Sequence, residues 1–329
     1  MINFSRINKL LLNEKSRIEL VNIFKRKTSP ENMILQGKLW SWIKEIETLI
    51  ENNKSVKLEE IEYIVKDNAP SSLDELKELL NSELQGYSKH ELYQSRITPN
   101  INEFSIGSTF YQGTHVQIGI SFIDEEQVKA RKNKNKSLTT GFYIDHATSI
   151  LMCVEGSAKI GCWSLNEKLD VNRVPNKFIG KYNEEDIQKG GLFTVKGGKQ
   201  GITFISVNKC AAFFIVQIMK DKSPIRLQFD SKNHELLGVI ASDQETSRFQ
   251  VATVALRALS KDKHTKILLP YIEHPNAYIR WHCAREIYLR DEKEAKVIFQ
   301  KLQTDVSPMI RYSAKNCLRD LYGDSKCQK

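Results

Sequence analysis

Apolar residues recur at helical spacing from the start of the chain to about residue 90. Ile7, Leu10, Leu11, Ile18, Val21 and Phe24 form one such run. A second begins at Thr28-Ser29-Pro30-Glu31, where a hydroxyl can cap and proline suits the first turn because its missing N–H would have no partner there. Leu35, Leu39, Trp42, Ile43, Ile46, Leu49 and Ile50 then make an amphipathic stripe, with Trp40 at its margin. The two tryptophans read as core, or as a contact with the next domain, rather than as a ligand cage. Leu58, Ile61, Ile64 and Val65 predict a third helix, ending before Asn68-Ala69-Pro70. Ser72 and Glu75 have capping-box spacing ahead of Leu76, Leu79 and Leu80.

The period changes near residue 101. His115-Val116-Gln117-Ile118-Gly119-Ile120-Ser121-Phe122 alternates polar and apolar, as a half-buried strand does. Further short strands are expected around 140–144, 149–155, 157–164, 191–195, 202–207 and 210–218, punctuated by Gly156, Gly190-Gly191 and Gly197-Gly198. About eight short strands with no helical period between them predict a closed barrel or a sandwich. The run Lys129–Lys136 between two of them reads as a basic loop. After residue 226 the helical period returns with an internal repeat. Ile279-Arg280 recurs as Ile310-Arg311 at a spacing of 31 residues, Cys283 corresponds to Ala314, and Ile287 to Leu318. One period earlier, Asp243 and Ala252 hold the places of Asp305 and Ala314. Such self-similarity marks stacked helical hairpins. The expected division is a helical region at 1–100, a β-barrel at 101–225 and helical repeats at 226–329.

Composition narrows the class more than the activity. The 329 residues are 40% hydrophobic and 27% charged, which suits a folded multidomain chain. The formal charge of +9 permits an anionic partner without identifying one. Six cysteines form no CxxC pair and no zinc-finger spacing, which fits a reducing, cytoplasmic setting. The N-terminus lacks a secretory pattern, and no run of apolar residues is long enough to span a membrane. No phosphate-binding glycine loop, dinucleotide fingerprint, nucleophile elbow or HExxH helix is present.

Two segments resemble known families. Leu302–Leu321 resembles a HEAT repeat: Asp305, Ile310, Arg311 and Ala314 follow the order of an inter-helix Asp, an aliphatic/Arg pair and then Ala. The preceding unit has His274 where that Asp would stand. This resemblance implies an α-solenoid that offers a protein- or peptide-binding surface. Ile150-Leu151-Met152-Cys153-Val154-Glu155-Gly156 and Gly190–Gly198 resemble the two glycine-turn motifs of the cupin superfamily, including its JmjC-like branch. The fold class this implies is multidomain α and β: a helical N-terminal part, a cupin-like jelly-roll barrel and HEAT-like repeats.

The resemblance departs from the cupin pattern at the metal ligands. Tyr143-Ile144-Asp145 stands in the place of His-x-Asp, and Lys199-Gln200-Gly201 in the place of the last histidine. A mononuclear iron or manganese site needs several imidazole and carboxylate donors at about 2.0–2.3 Å. Tyr, Gln and Gly do not supply them. His115, Gln117, Tyr143, Asp145 and Gln200 are therefore expected to bind a ligand in the barrel, with no metal; were one bound, His115 and Asp145 would be its ligands. His146 adjoins Asp145 but points to the other face of an extended strand. The leading functional expectation is a binding or scaffold protein: a small molecule or peptide in the barrel, or a barrel that serves a homodimer, and a protein partner on the repeats. The alternative is a non-haem iron(II), 2-oxoglutarate-dependent oxygenase acting on a peptide or protein. A nucleic-acid-associated regulator ranks last, because no basic recognition helix stands out.

Overall fold

The computed structural model describes residues 37–52, 56–89, 95, 97–101, 105–134, 141–170, 174–219, 225–242, 244–259 and 265–323. The helices expected from Ile7 to Glu31, Asp243 and the end of the 129–136 run lie outside the described residues.

Among the described residues, three helices come first: α1 (Gly37–Asn52), α2 (Leu58–Asn68) and α3 (Leu73–Lys89). Their apolar stripes meet in one core, where Trp42, Ile43, Ile46, Val65 and Leu76 are buried. The Ser72–Glu75 capping box does not form. Ser72 instead accepts the Trp42 indole N–H at 3.0 Å and donates to the Asn68 carbonyl at 2.9 Å. The Glu75 carboxylate reaches across to α1 and accepts the amides of Lys38 and Leu39 at 2.9 and 2.8 Å. Those first-turn amides have no partner within their own helix, so an anion there satisfies two donors and meets the positive end of the helix dipole.

Twelve strands follow: β1 (Thr98–Ile101), β2 (Ser105–Gln112), β3 (Val116–Asp124), β4 (Gly141–Ile144), β5 (Thr148–Glu155), β6 (Ser157–Ser164), β7 (Lys181–Gln188), β8 (Leu192–Val195), β9 (Gln200–Val207), β10 (Cys210–Ile218), β11 (Ile225–Asp230) and β12 (Leu236–Ala241). They form two six-stranded sheets, ordered β1-β2-β3-β10-β5-β8 and β12-β11-β4-β9-β6-β7, with antiparallel pairing throughout. The chain crosses repeatedly between the sheets, which face each other as a barrel. Residues 129–134 of the run expected as a basic loop are instead part of a helix, α4 (Glu125–Lys134), supported by a Glu125–Lys129 ion pair at 2.7 Å.

The barrel strands also run past residue 225, where the sequence placed a return to helix. β11 pairs with β4 and β12, and so belongs to the second sheet. β7 carries no alternating pattern because it is an edge strand exposed at every position but Ile187.

Three layers of packing hold the barrel. Phe214, Val216 and Ile218 turn outward from the first sheet onto the N-terminal helices, with the Trp42 and Phe214 rings 5.6 Å apart. Phe142, Ile144, Leu227 and Phe229 turn outward from the second sheet, where Trp163 stacks on Phe142 at 4.3 Å. Between the sheets lie Ile160, Cys162, Phe204 and Phe213.

The C-terminal helices are α5 (Gln244–Leu259), α6 (Thr265–Leu268, continued as a tighter turn to Glu273), α7 (Ala277–Tyr288), α8 (Glu292–Leu302) and α9 (Pro308–Tyr322). They share a separate core. The 31-residue spacing places Ile279, Cys283 and Ile287 of α7, and Ile310, Ala314 and Leu318 of α9, at equivalent buried positions. Arg280 and Asp305 form a bidentate pair at 2.8 and 2.6 Å, with side chains 7% and 6% exposed. Tyr278 joins this region to the barrel by donating to the Val239 carbonyl of β12 at 3.3 Å. Among the described residues, no helix is long and apolar enough to cross a membrane.

Candidate functional site

Strand alternation decides which side chains face the barrel interior. On β10 the inward set is Phe213, Ile215 and Gln217, because Phe214, Val216 and Ile218 pack on the helices. Register then lines up the neighbours. Gln117 of β3 and Ser149 of β5 oppose Gln217, whereas Gly119 and Leu151 oppose Ile215. On the second sheet Tyr143 opposes Ile202, and the next inward positions of those two strands are Asp145 and Gln200. The turn from Asp145 to Thr148 joins β4 to β5, so it brings the polar ends of both sheets together.

The result is a cavity of about 280 Å³ with a graded wall. One end presents Gln117, Asp145, Ser149, Gln200, Gln217 and Arg226. The other presents Ile123, Leu151, Ile202, Phe204, Phe213 and Ile215, interrupted by Ser105 opposite Ile123 and Ser121 opposite Phe213, and continues into the core between the sheets. A glycine pair shapes the polar end. Gly198 has φ +70°, which a side chain rarely tolerates, and its N–H donates to the Asp145 carbonyl at 2.6 Å. A Cβ at Gly197 would run into the His146 carbonyl oxygen, so this turn closes on the Asp145–Thr148 turn only because both residues are glycine.

Gln117, Tyr143, Asp145 and Gln200, all expected at the site, line this cavity. Three of them are already engaged. Gln200 accepts the Lys196 amide at 2.8 Å and donates to Ser164 at 3.1 Å; Gln117 donates to Thr109 at 3.1 Å. Asp145 accepts the Ala147 amide on Oδ1 at 3.2 Å. The Tyr143 hydroxyl has no partner among the described residues.

His115 does not line the cavity. The expectation that it shares a strand face with Gln117 fails because β3 begins at Val116. His115 sits in the β2–β3 turn, fastened by Glu47 of α1, whose carboxylate accepts the amides of His115 and Val116 and the Tyr111 hydroxyl, each at 3.1 Å. Burial and the neighbouring Glu47 together hold the Tyr111 phenol well above its ordinary pKa. His146 lies apart from Asp145, in a second cavity of about 180 Å³ between α2 and the first sheet, lined also by Ile50, Leu58, Ile61 and Ile218.

The donor set does not fit a catalytic iron or manganese ion. Among the described residues, Asp145 is the one acidic side chain in the cavity wall, and no histidine or cysteine lines it. Among the described residues, no group of three or more His, Cys, Asp or Glu is placed to hold a metal.

No family model matches the chain. No curated protein matches it either. Solved structures similar to part of it include an oxalate decarboxylase from Lactobacillus farciminis in a formate complex. That match has 13% identity and a TM-score of 0.26, and covers 43% of this chain and 34% of the other. The CENP-C cumin domain of Drosophila melanogaster matches at 6% identity and TM-score 0.26, over 37% of this chain and 72% of that one. The Clostridium difficile EutQ protein matches at 15% and 0.21, over 36% and 71%. This chain thus spans about a third of the decarboxylase it resembles, and overlap this slight assigns no activity.

Arg226 is the site residue that sequence reading missed. It projects from β11 into the cavity, and its Nε is buried without a hydrogen-bond partner. The signal was present: Ile225-Arg226-Leu227-Gln228-Phe229 alternates as a strand does, with Ile225, Leu227 and Phe229 buried outward.

Proposed function

We propose that the chain is a metal-independent, cupin-like binding protein. Its barrel takes a small organic molecule, and its C-terminal helices, read as HEAT-like repeats, dock a protein partner. The composition of the cavity wall carries this reading. A single carboxylate and a guanidinium are poor ligands for a catalytic cation but good recognition groups for a polar organic head. The apolar floor beyond them suits an aliphatic or aromatic body. For the repeats, support comes from the apolar side chains left on the surface of α8 and the turn after it: Val297 is 61% and Val306 85% exposed.

The test is metal analysis of protein purified without chelator from iron- and manganese-supplemented cells, alongside an Asp145→Ala/His115→Ala variant. The expected result is far less than one metal ion per chain in both. Stoichiometric iron or manganese that disappears in the variant would replace this reading with an iron(II), 2-oxoglutarate oxygenase.

A further inference from the structure

Among the described residues, the cavity wall holds one cationic and one anionic side chain, Arg226 and Asp145, that do not pair with each other. Leu227 opposes Ile144 across β11 and β4, so one step along these strands Arg226 and Asp145 are neighbours on the inward face. Opposite charges at such positions ordinarily meet. Here no ion pair joins them, and neither has another charged partner among the described residues. Arg226 keeps a buried Nε–H with no acceptor. Asp145 uses Oδ1 on the Ala147 amide, and Oδ2 has no partner among the described residues. A buried donor left unmade is expensive in free energy, more so when charged. This arrangement suits a ligand that brings an acceptor to one group and a donor to the other.

We propose that the barrel binds a free α-amino acid with an apolar side chain. This rests on the reading that the cavity is a small-molecule site. The ligand's carboxylate lies against the Arg226 guanidinium, whose planar fork matches a carboxylate's two oxygens. Its ammonium donates to Asp145. Its side chain extends along Leu151, Ile202, Phe213 and Ile215. Charge selects this class over a simple carboxylic acid, because an acid alone would set a second anion beside Asp145 with nothing to offset it. An amine alone would leave Arg226 unanswered. A zwitterion, neutral overall, answers both.

The experiment is isothermal titration of the full chain with L-phenylalanine and L-leucine, then with 2-phenylethylamine and 3-phenylpropanoate, which lack the carboxylate and the amine respectively. At least one amino acid binds 1:1, and each phenyl analogue binds about tenfold or more weakly than phenylalanine, the scale of one lost charged hydrogen bond. Arg226→Gln and Asp145→Asn each cause a similar loss, and Arg226→Lys retains part of the affinity. Circular dichroism confirms that the variants fold. If one does not, the analogue series on the unaltered chain examines the same contacts from the ligand side. Tight binding of 3-phenylpropanoate that Asp145→Asn strengthens would overturn the proposal in favour of a simple acid. Native mass spectrometry of the chain as isolated separates the remaining outcomes. A retained neutral molecule, with no amino-acid binding, overturns this inference and leaves the cavity reading standing. No binding and nothing retained overturns both.

Discussion

Replacing Asp305 with alanine should loosen the C-terminal helices by an amount the structure sets. Asp305 accepts two hydrogen bonds from Arg280, at 2.8 and 2.6 Å, and a third from the Ser307 amide at 2.7 Å. Both charged side chains are more than nine-tenths buried. Removing one partner of a buried pair typically costs about 3–5 kcal/mol, because a charge is left behind without compensation. Arg280 would keep its bonds to the His274 and Pro275 carbonyls at 2.6 and 3.0 Å, which favours the lower end of that range. A loss of about 3 kcal/mol is a little over a hundredfold in the opening equilibrium. Amide hydrogen exchange read by mass spectrometry resolves this. Protection in 277–288 and 308–322 should fall about a hundredfold, while the strands of the barrel keep theirs. The double variant Arg280→Met/Asp305→Leu should recover most of the loss, since apolar residues of similar volume replace a buried pair at little cost. Unchanged protection in Asp305→Ala, or a double variant as unstable as the single, would refute the role given to this pair.

Other outcomes follow from the same structure. Glu47→Ala removes the acceptor of three hydrogen bonds and should lower stability by about 2 kcal/mol in urea titration. Because the folded state raises the Tyr111 pKa above its ordinary 10.0, the stability that this tyrosine contributes is complete below pH 10 and fades above it, which melting at alkaline pH would show against Tyr111→Phe. Burial lowers the pKa of His282, which touches Thr253 at 2.6 Å. The fold therefore favours the neutral ring, and its contribution is complete above the ordinary 6.5 and lost as pH falls below it; urea midpoints at pH 7.5 and 5 should differ more than in His282→Gln. Burial also pushes the Cys283 thiol up to about 12, whereas Cys210 is exposed. Iodoacetamide at pH 8 should modify Cys210 and spare Cys283 until denaturant is added, as peptide mass mapping would show.

Much of the architecture was legible in the sequence, and the failures have physical causes. The stripe from Leu39 to Ile50 and the alternation after His115 located α1 and β3, because burial on one face writes its period into the chain. That alternation pointed to Gln117, and the cupin resemblance to Tyr143, Asp145 and Gln200; all four line the cavity. Strand phase does not say where a strand starts, however, and His115 was lost to a turn fixed by a carboxylate 68 residues away. Ser72 and Glu75 had the spacing of a local cap, but Glu75 serves a different helix, a contact that linear spacing does not encode. β7 was invisible because an exposed edge strand has little apolar pattern to read. Arg226 was overlooked because the barrel was ended at residue 225 although its strands run on to Ala241, and Ile225, Leu227 and Phe229 mark the period on either side of it.

The measurement that bears most directly on the whole account is a crystal structure of the chain purified from rich medium, with anomalous data collected at the iron and manganese edges. It should show organic density in the barrel within hydrogen-bonding distance of Arg226, and no anomalous peak near Asp145. A metal peak on Asp145, or side chains collapsed to fill the space between the sheets, would contradict it.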